Sequence, residues 1–380
     1  MFENFDIVVV GAGFFGSVVA EQASRDGYKV AVIERRPHIG GNCYTEDDTE
    51  TGINVHKYGA HIFHTNNKNI WDYINQFTEF NGYIHKVKTK SNGKIYSMPI
   101  NLDTINSFFG TEKSPEEATQ WLNELRKQFS NTVPKNFEEQ ALALIGPDLY
   151  SAFIKGYTLK QWEIDPTKLP ASIIRRLPVR TNYNDRYFND RYEGIPINGY
   201  TPIFMRMLDH PNIEIFLNTA WEDVKKHTDN KLVIYTGAID QYYDYCYGNL
   251  NWRTLDFHLR IEEVDDYQGC SALNYADQSV PYTREIEHKH FLPEKQTVKN
   301  KTIVSREYSR MASVDDTPYY PVNTEEDRIK FNLYKEKAEQ ESNILFGGRL
   351  GEYMYYDMHQ VIGSALSTYK NKIKPRLSSN

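Results

Sequence analysis

Cysteine is nearly absent: Cys43, Cys246 and Cys270 are the only ones in a chain of 380 residues. An odd, widely spaced set offers neither a disulfide framework nor a zinc or other metal site, and it fits a reducing compartment. Long hydrophobic runs are missing too. No stretch approaches the roughly 20 apolar residues that cross a bilayer, and the first residues lack the basic-then-apolar pattern of a signal peptide. The expectation is a cytoplasmic protein with no membrane insertion. Positive charge is not in excess: Lys plus Arg total 44 against 51 Asp plus Glu, a net charge of −7. That balance argues against nucleic acid as a partner and against a polybasic membrane anchor. Internal repeats and low-complexity tracts are lacking, and the length allows two or three domains with sizeable cores.

Aromatic side chains are plentiful instead. Tyrosine numbers 28, and aromatics make up 14% of the chain. A single tyrosine is ordinarily packing, but tyrosines beside arginines can grip a base and its phosphates. The chain opens on a βαβ pattern. Asp6 to Val10 (DIVVV) reads as a buried parallel strand, a helix is expected from Ser17 to about Asp26, and Lys29 to Ile33 (KVAVI) reads as the next strand, ending at Glu34. Between strand and helix stand Gly11-Ala12-Gly13-Phe14-Phe15-Gly16. A lone G-x-G-x-x-G is weak, but in this setting, with Glu34 at the end of the second strand, it is the dinucleotide fingerprint. Gly11 permits the tight turn, Gly13 lets the backbone reach a pyrophosphate, and Gly16 lets helix and strand pack closely. The helix N-terminus supplies N–H donors, and Glu34 can accept from ribose hydroxyls.

Helices are expected around EEATQWLNELRKQF, EEQALALIG and DLYSAFIKGYTLKQW, between Pro115 and Ile174. Strand patterns return at IEIFLNT and KLVIYTG, and alternating segments between Leu255 and Ser309 read as an antiparallel sheet. A polar helix should cover Glu325 to Glu341. The strand NILF then runs into Gly347-Gly348-Arg349, and a last helix should cover about His359 to Lys372, with a loose tail after Pro375. The expected fold class is α/β: a discontinuous Rossmann-type domain (1–85, 195–245 and 340–380) with an inserted, mainly helical domain (100–180) and an antiparallel sheet domain (86–99, 181–194 and 246–339). The Tyr- and Asp-rich stretch 236–253 receives no role.

The residues just past Glu34 favour FAD over NAD. Arg35-Arg36-Pro37-His38-Ile39-Gly40-Gly41-Asn42 brings a glycine pair for a second close backbone approach, and Gly347-Gly348-Arg349 offers another helix start facing a flavin. This pattern resembles the glutathione-reductase-like flavoproteins. Later segments resemble one family closely. YGAHIFHT (58–65), GYTLKQW (156–162), RRLPVR (175–180), YFND (187–190), Asn274-Tyr275, VPYTR (280–284), PYYP (318–321), GRLG (348–351) and YYDM (355–358) together make the chain similar to UDP-galactopyranose mutases. The resemblance implies interconversion of UDP-galactopyranose and UDP-galactofuranose through a covalent flavin N5–sugar adduct, with no net redox change and only reduced FAD active.

Carried over residue by residue, the resemblance implies that Arg176 and Arg284 bind the diphosphate. It places Tyr157, Tyr187, Tyr320 and Tyr355 around UDP, with Phe153, Tyr187 and Phe188 packing on uracil. Asn274 would add polar contacts, Thr158, Trp162 and Leu177 would line the sugar side, and Arg349 would favour anionic reduced flavin. His61, Ile62 and His64 fall beside the isoalloxazine ring, His64 counting with Arg176, Arg284 and Arg349 as catalytic, and Tyr356, Asp357 and Met358 lie near the cofactor. Burial without chemistry is an equal reading for His61, and Asp357 serves equally as a helix cap. Arg175 and Arg180 read as surface groups. His85 departs from some bacterial relatives near the uracil end. The proline-bounded segment from Asp165 to Arg180 would be a mobile lid. The family commonly forms dimers, so a homodimer is expected. No second dinucleotide fingerprint exists in the sequence, so an external reductant such as NAD(P)H would bind transiently at the active site. Two rivals keep the same fold: a flavin-dependent oxidase or dehydrogenase, and a non-catalytic sugar-nucleotide sensor. No acidic pair accompanies the sugar-site segments, which disfavours carboxylate-based glycosidic chemistry.

Overall fold

The structure, a computed structural model, describes residues 2–129, 133–228, 231–295 and 297–378, and the backbone alone of Arg175 and Arg176. Ile7–Val10 is the middle strand of a five-stranded parallel sheet. The spatial order is Ile344–Phe346, Leu232–Tyr235, Ile7–Val10, Val30–Ile33 and Ile213–Phe216. All four residues of Val30–Ile33 are buried. This is the continuous apolar run of a strand covered on both faces, each buried valine or isoleucine contributing about 1.5–3 kcal/mol. The helix Phe14–Arg25 lies against the sheet and packs on Met358–Thr368 and Thr201–Leu208. It begins at Phe14, three residues earlier than the pattern predicts. Val18, Val19, Phe204 and Ile362 close the core between these helices.

Beyond Thr368 the winding widens over Tyr369–Ile373 and a further helical turn covers Lys374–Ser378. The expected loose tail is therefore packed as far as Ser378: Leu377 is 8% exposed within the core.

The second sheet has seven strands in the order Tyr320–Pro321, Trp252–Glu262, Thr302–Met311, Arg284–Glu287, Ala272–Tyr275, Val87–Ser91 and Lys94–Met98. One junction corrects the purely antiparallel expectation. Ala272–Tyr275 runs parallel to Val87–Ser91, because the chain reaches that edge through a long crossover rather than a hairpin. A short antiparallel ladder, Phe63–Thr65 against Tyr192–Gly194, bridges toward the parallel sheet's side of the molecule.

The helical segment contains Leu102–Phe109, which sequence patterning passed over, then Pro115–Lys127 and Phe137–Leu149. Pro115 sits in the first turn as expected, behind a Ser114–Glu117 capping box, with Arg126 and Lys127 at the negative end. Gly146 adopts φ +75°, and a side chain there would run into Leu125 at 2.4 Å, so the third helix is kinked at this point. Winding continues through Tyr150–Lys155 into Gly156–Trp162 and stops at Glu163, φ +50°. Glu163 Oε2 accepts from the fully buried Arg253 at 2.8 Å and from Met311 N at 2.9 Å, fastening the helix end to the large sheet.

Candidate active site

The carboxyl ends of the parallel strands open into a crevice, where Rossmann-like sheets bind dinucleotides. Gly11 turns at φ +101°, and a Cβ there would lie 2.1 Å from Thr236 Oγ1. A Cβ on Gly16 would lie 1.9 Å from the Gly11 carbonyl, so helix and turn touch backbone to backbone. Gly13 differs. A Cβ there would meet only Gly41 Cα, at 3.9 Å, so its bareness leaves open space between two glycines. No side chain caps the helix start and no acidic residue occupies its first turn. Its free N–H groups and positive end are available to an anion.

Around this turn lies a cavity of about 360 Å³. Of the residues assigned to the cofactor from sequence, Gly11, Gly13, Phe14, Phe15, Glu34, Arg35, Gly41, Asn42, His61, Arg349, Tyr356 and Met358 line it. Ala12, Gly16, Ile62 and Asp357 do not. Ala12 is fully buried, and its N–H donates to Glu34 Oε2 at 3.0 Å, while Arg36 N donates to Oε1 at 2.9 Å. Glu34 thus braces its own turn. Residues the sequence reading missed also line the cavity, among them Arg36, Thr219, Trp221 and Ser313. Much of the unassigned 236–253 stretch does as well, including Thr236, Gly237, Asp240, Tyr245 and Trp252. The available signal was Thr236-Gly237 directly after a β-branched strand, matching the position of Gly11. Burial, with the Arg349 charge adding to it, pulls His61 down to about 4, so its ring is neutral. Its Nδ1 meets the Gly59 carbonyl at 2.8 Å.

Beside this crevice the tyrosines expected to bind UDP converge on Arg284. Arg284 Nη2 donates to the Tyr157 hydroxyl at 3.1 Å, and Arg284 Nε lies 3.0 Å from Glu307 Oε2. Burial opposes the arginine's charge, but the Glu307 carboxylate outweighs it and holds Arg284 well above its usual range. The Tyr320 and Tyr355 rings stack at 5.2 Å, and the Arg349 guanidinium lies 5.7 Å and 5.8 Å from them. Burial pushes Tyr187 and Tyr320 up to about 12, so both stay protonated and can donate. Asn274 pairs in register with Arg284.

Lys160 organises this side. Its Nζ donates to the carbonyls of Tyr275 at 2.7 Å, Asp277 at 2.9 Å and Tyr282 at 2.9 Å, binding the Tyr157 helix to the loop between Asn274 and Arg284. The same contact requires Gly156, whose Cβ would stand 2.3 Å from the Ala276 carbonyl.

The chain matches the model of the UDP-galactopyranose mutase family over residues 152–355, and that of an NAD(P)-binding Rossmann-like domain over 9–77. A probable UDP-galactopyranose mutase of Klebsiella pneumoniae is 46% identical over 365 residues, covering 96% of this chain and 94% of that protein. The dTDP-fucopyranose mutase of Escherichia coli is 44% identical over 376 residues, covering 97% and 98%. The chain belongs to the UDP-galactopyranose mutase family. Proteins with these names are isomerases. A crystal structure of reduced UDP-galactopyranose mutase shares the fold, with TM-score 0.73 at 15% identity over 98% of this chain and 96% of that one.

In this family member the remaining assigned residues fall partly in the core and partly at the cleft. Phe153 is 2% exposed and packs edge-on against Tyr96 and Phe108, while Thr158 and Trp162 are also buried. Leu177 packs on the helical core. Phe188 stacks on His64 at 3.7 Å. The Asp357 N–H donates to Gln360 Oε1 at 2.8 Å at the start of the last long helix. Arg176 lies in the tight turn Ala171–Arg176, and its side chain, like that of Arg175, lies outside the described residues. Among the described residues no helix is long and apolar enough to cross a membrane.

Proposed function

We propose that this protein interconverts UDP-galactopyranose and UDP-galactofuranose with FAD as its resident cofactor and no net redox change. The observation that carries the reading is the convergence of Arg284, Tyr157, Tyr187, Tyr320 and Tyr355 beside the glycine-lined crevice. The crevice fits FAD: space beside Gly13, an uncapped helix start and the facing Gly41 form a pyrophosphate cradle, with Glu34 and Arg35 toward the ribose and His61, Tyr356 and Met358 toward the other end. Bound there in reduced form, the flavin supplies a nucleophile, N5, for the sugar's anomeric carbon.

The chain's own residues do the rest. Arg284, fixed and charged, offers paired donors to the diphosphate, and that contact strengthens as negative charge grows on the leaving group. The protonated hydroxyls of Tyr187 and Tyr320 add further donors. Arg349 places positive charge where an anionic cofactor ring gains from it. Arg176 is assigned a second diphosphate contact, delivered when the 165–180 segment closes and expels water. NAD(P)H is the proposed external reductant.

The high identity to dTDP-fucopyranose mutase supports a second substrate pair, dTDP-fucopyranose and dTDP-fucofuranose. The two differ at the sugar's sixth carbon, the base methyl and the ribose 2′-hydroxyl. The test is to purify the protein, record its visible spectrum, reduce it with dithionite, and follow each furanose sugar nucleotide by chromatography. A yellow protein converting UDP-galactofuranose only when reduced supports the reading. Preference for the dTDP pair selects the second substrate, and flavin reduction by substrate in air-free solution selects an oxidase or dehydrogenase.

A further inference from the structure

The ladder between Phe63–Thr65 and Tyr192–Gly194 sets His64 opposite Glu193, and the turn before the second strand delivers Asp190. Asp190 Oδ2 lies 2.5 Å from His64 Nδ1, and its other oxygen accepts from the Asn66 amide. Arg186 Nη2 holds the Asp190 carbonyl at 3.1 Å and is itself paired with buried Glu193 at 2.9 Å. The carboxylate is therefore held at both oxygens, by His64 and Asn66, and the backbone of Asp190 by Arg186. The His64 ring is clamped as well, stacked on Phe188 at 3.7 Å and 12°, with the His359 ring at 5.0 Å on another side.

A carboxylate can only accept, so the ring nitrogen facing it carries the proton, which leaves Nε2 of a neutral ring bare. A ring nitrogen of His64, one of His359 and a carboxylate oxygen of Asp357 lie within 4.8 Å of one another. Asp190 engages Nδ1, so Nε2 is the ring nitrogen of His64 that this carboxylate leaves free. Asp357 in turn is close enough to Tyr187 to act on its phenol, so this cluster borders the tyrosine-lined cleft.

Resting on the isomerase reading above, we infer that Asp190 is a positioning residue that fixes His64 in its Nδ1–H tautomer and turns a basic Nε2 toward the sugar. Ring contraction breaks the bond from C1 to the C5 oxygen and forms one from C1 to the C4 oxygen. The C4 hydroxyl loses a proton and the C5 oxygen gains one, with no electrons transferred to or from the sugar overall. A nitrogen that accepts and then donates can carry that proton. His64 does so, and Asp190 acts through it.

The test uses the flavin-loaded protein. Asp190→Asn presents an amide that can donate, which favours the wrong tautomer. It should lower kcat roughly 10²- to 10⁴-fold, the range of general acid–base catalysis, with KM changed less than about threefold and flavin content intact. Adding His64→Gln should cost little more, since both changes remove one function. Nitrogen-15 NMR of histidine, with His64 assigned by its loss in His64→Gln, should show the Nδ1–H form in the parent protein and its loss in Asp190→Asn. A parent ring protonated on Nε2 or on both nitrogens at neutral pH overturns the inference, as does an Asp190→Asn protein with near-parental kcat. The parent tautomer is read without turnover and without the Asp190 variant. It still decides Asp190's role if neither sugar nucleotide is converted, an outcome that would instead defeat the proposed activity.

Discussion

Lys160 offers the sharpest test of how the substrate side is held. Lys160→Met keeps most of the stem and removes the ammonium, leaving the carbonyls of Tyr275, Asp277 and Tyr282 without their shared donor. A hydrogen bond from a charged donor contributes about 1.5–3 kcal/mol. Water can replace part of this at a half-buried site, and burial already pulls this ammonium down to about 8, so deleting the charge returns some of its desolvation cost. A net local loss of about 2–4 kcal/mol remains. At 1.4 kcal/mol per decade, that makes opening of the 275–284 loop roughly 30- to 700-fold easier. Hydrogen exchange reads this directly at the Tyr275 and Thr283 amides, which bond the Thr283 and Glu307 carbonyls at 2.9 Å. Because Arg284 ends this loop, KM for the sugar nucleotide should rise while bound flavin is unchanged. Exchange at these two amides within threefold of the parent would refute the tripod's role.

Gly13→Val should yield colourless protein that still folds, since a Cβ there meets no protein atom closer than Gly41 Cα, at 3.9 Å, and opens onto the crevice; a fully flavinated variant by absorbance contradicts the cradle. Arg284→Ala should abolish turnover and, by stranding Glu307, lower stability by about 3–5 kcal/mol; adding Glu307→Gln should restore the melting temperature without the activity. Acid should erode stability early. His56, His85 and His288 are buried and held below their usual 6.5, His85 and His288 at about 3. The unfolded chain therefore takes up their protons first. Their contribution is complete above pH 6.5 and drains as pH falls toward about 3, at about 1.4 kcal/mol per pH unit for each ring. A melting temperature flat from pH 7 to 5 would contradict this.

The nucleotide turn was legible because each of its glycines answers a local demand: the positive φ of Gly11, the backbone contact of Gly16, the open face of Gly13. The parallel strands were legible from uninterrupted Val and Ile. What escaped depends on distant pairing. Glu34 reads as a ribose acceptor from its position, but its further task of bracing the turn, by taking main-chain N–H groups from Ala12 and Arg36, leaves no local signal. The parallel junction between Ala272–Tyr275 and Val87–Ser91 leaves no local trace, since either direction satisfies the same side-chain alternation. The packed 374–378 turn looked loose because its anchor, Leu377, is a single apolar residue among polar ones.

The parallel sheet takes its centre from Ile7–Val10 and one edge from Ile344–Phe346, and the helix on its first turn is covered by Met358–Thr368. A ribosome adding about 5–20 residues per second needs roughly 20–70 s to travel between those strands. Throughout that interval the nascent nucleotide cradle has a bare flank. A nascent chain that has not reached those elements holds its glycine turn intact yet lacks the strand and helix that flank it, so capture of the proposed cofactor waits for them.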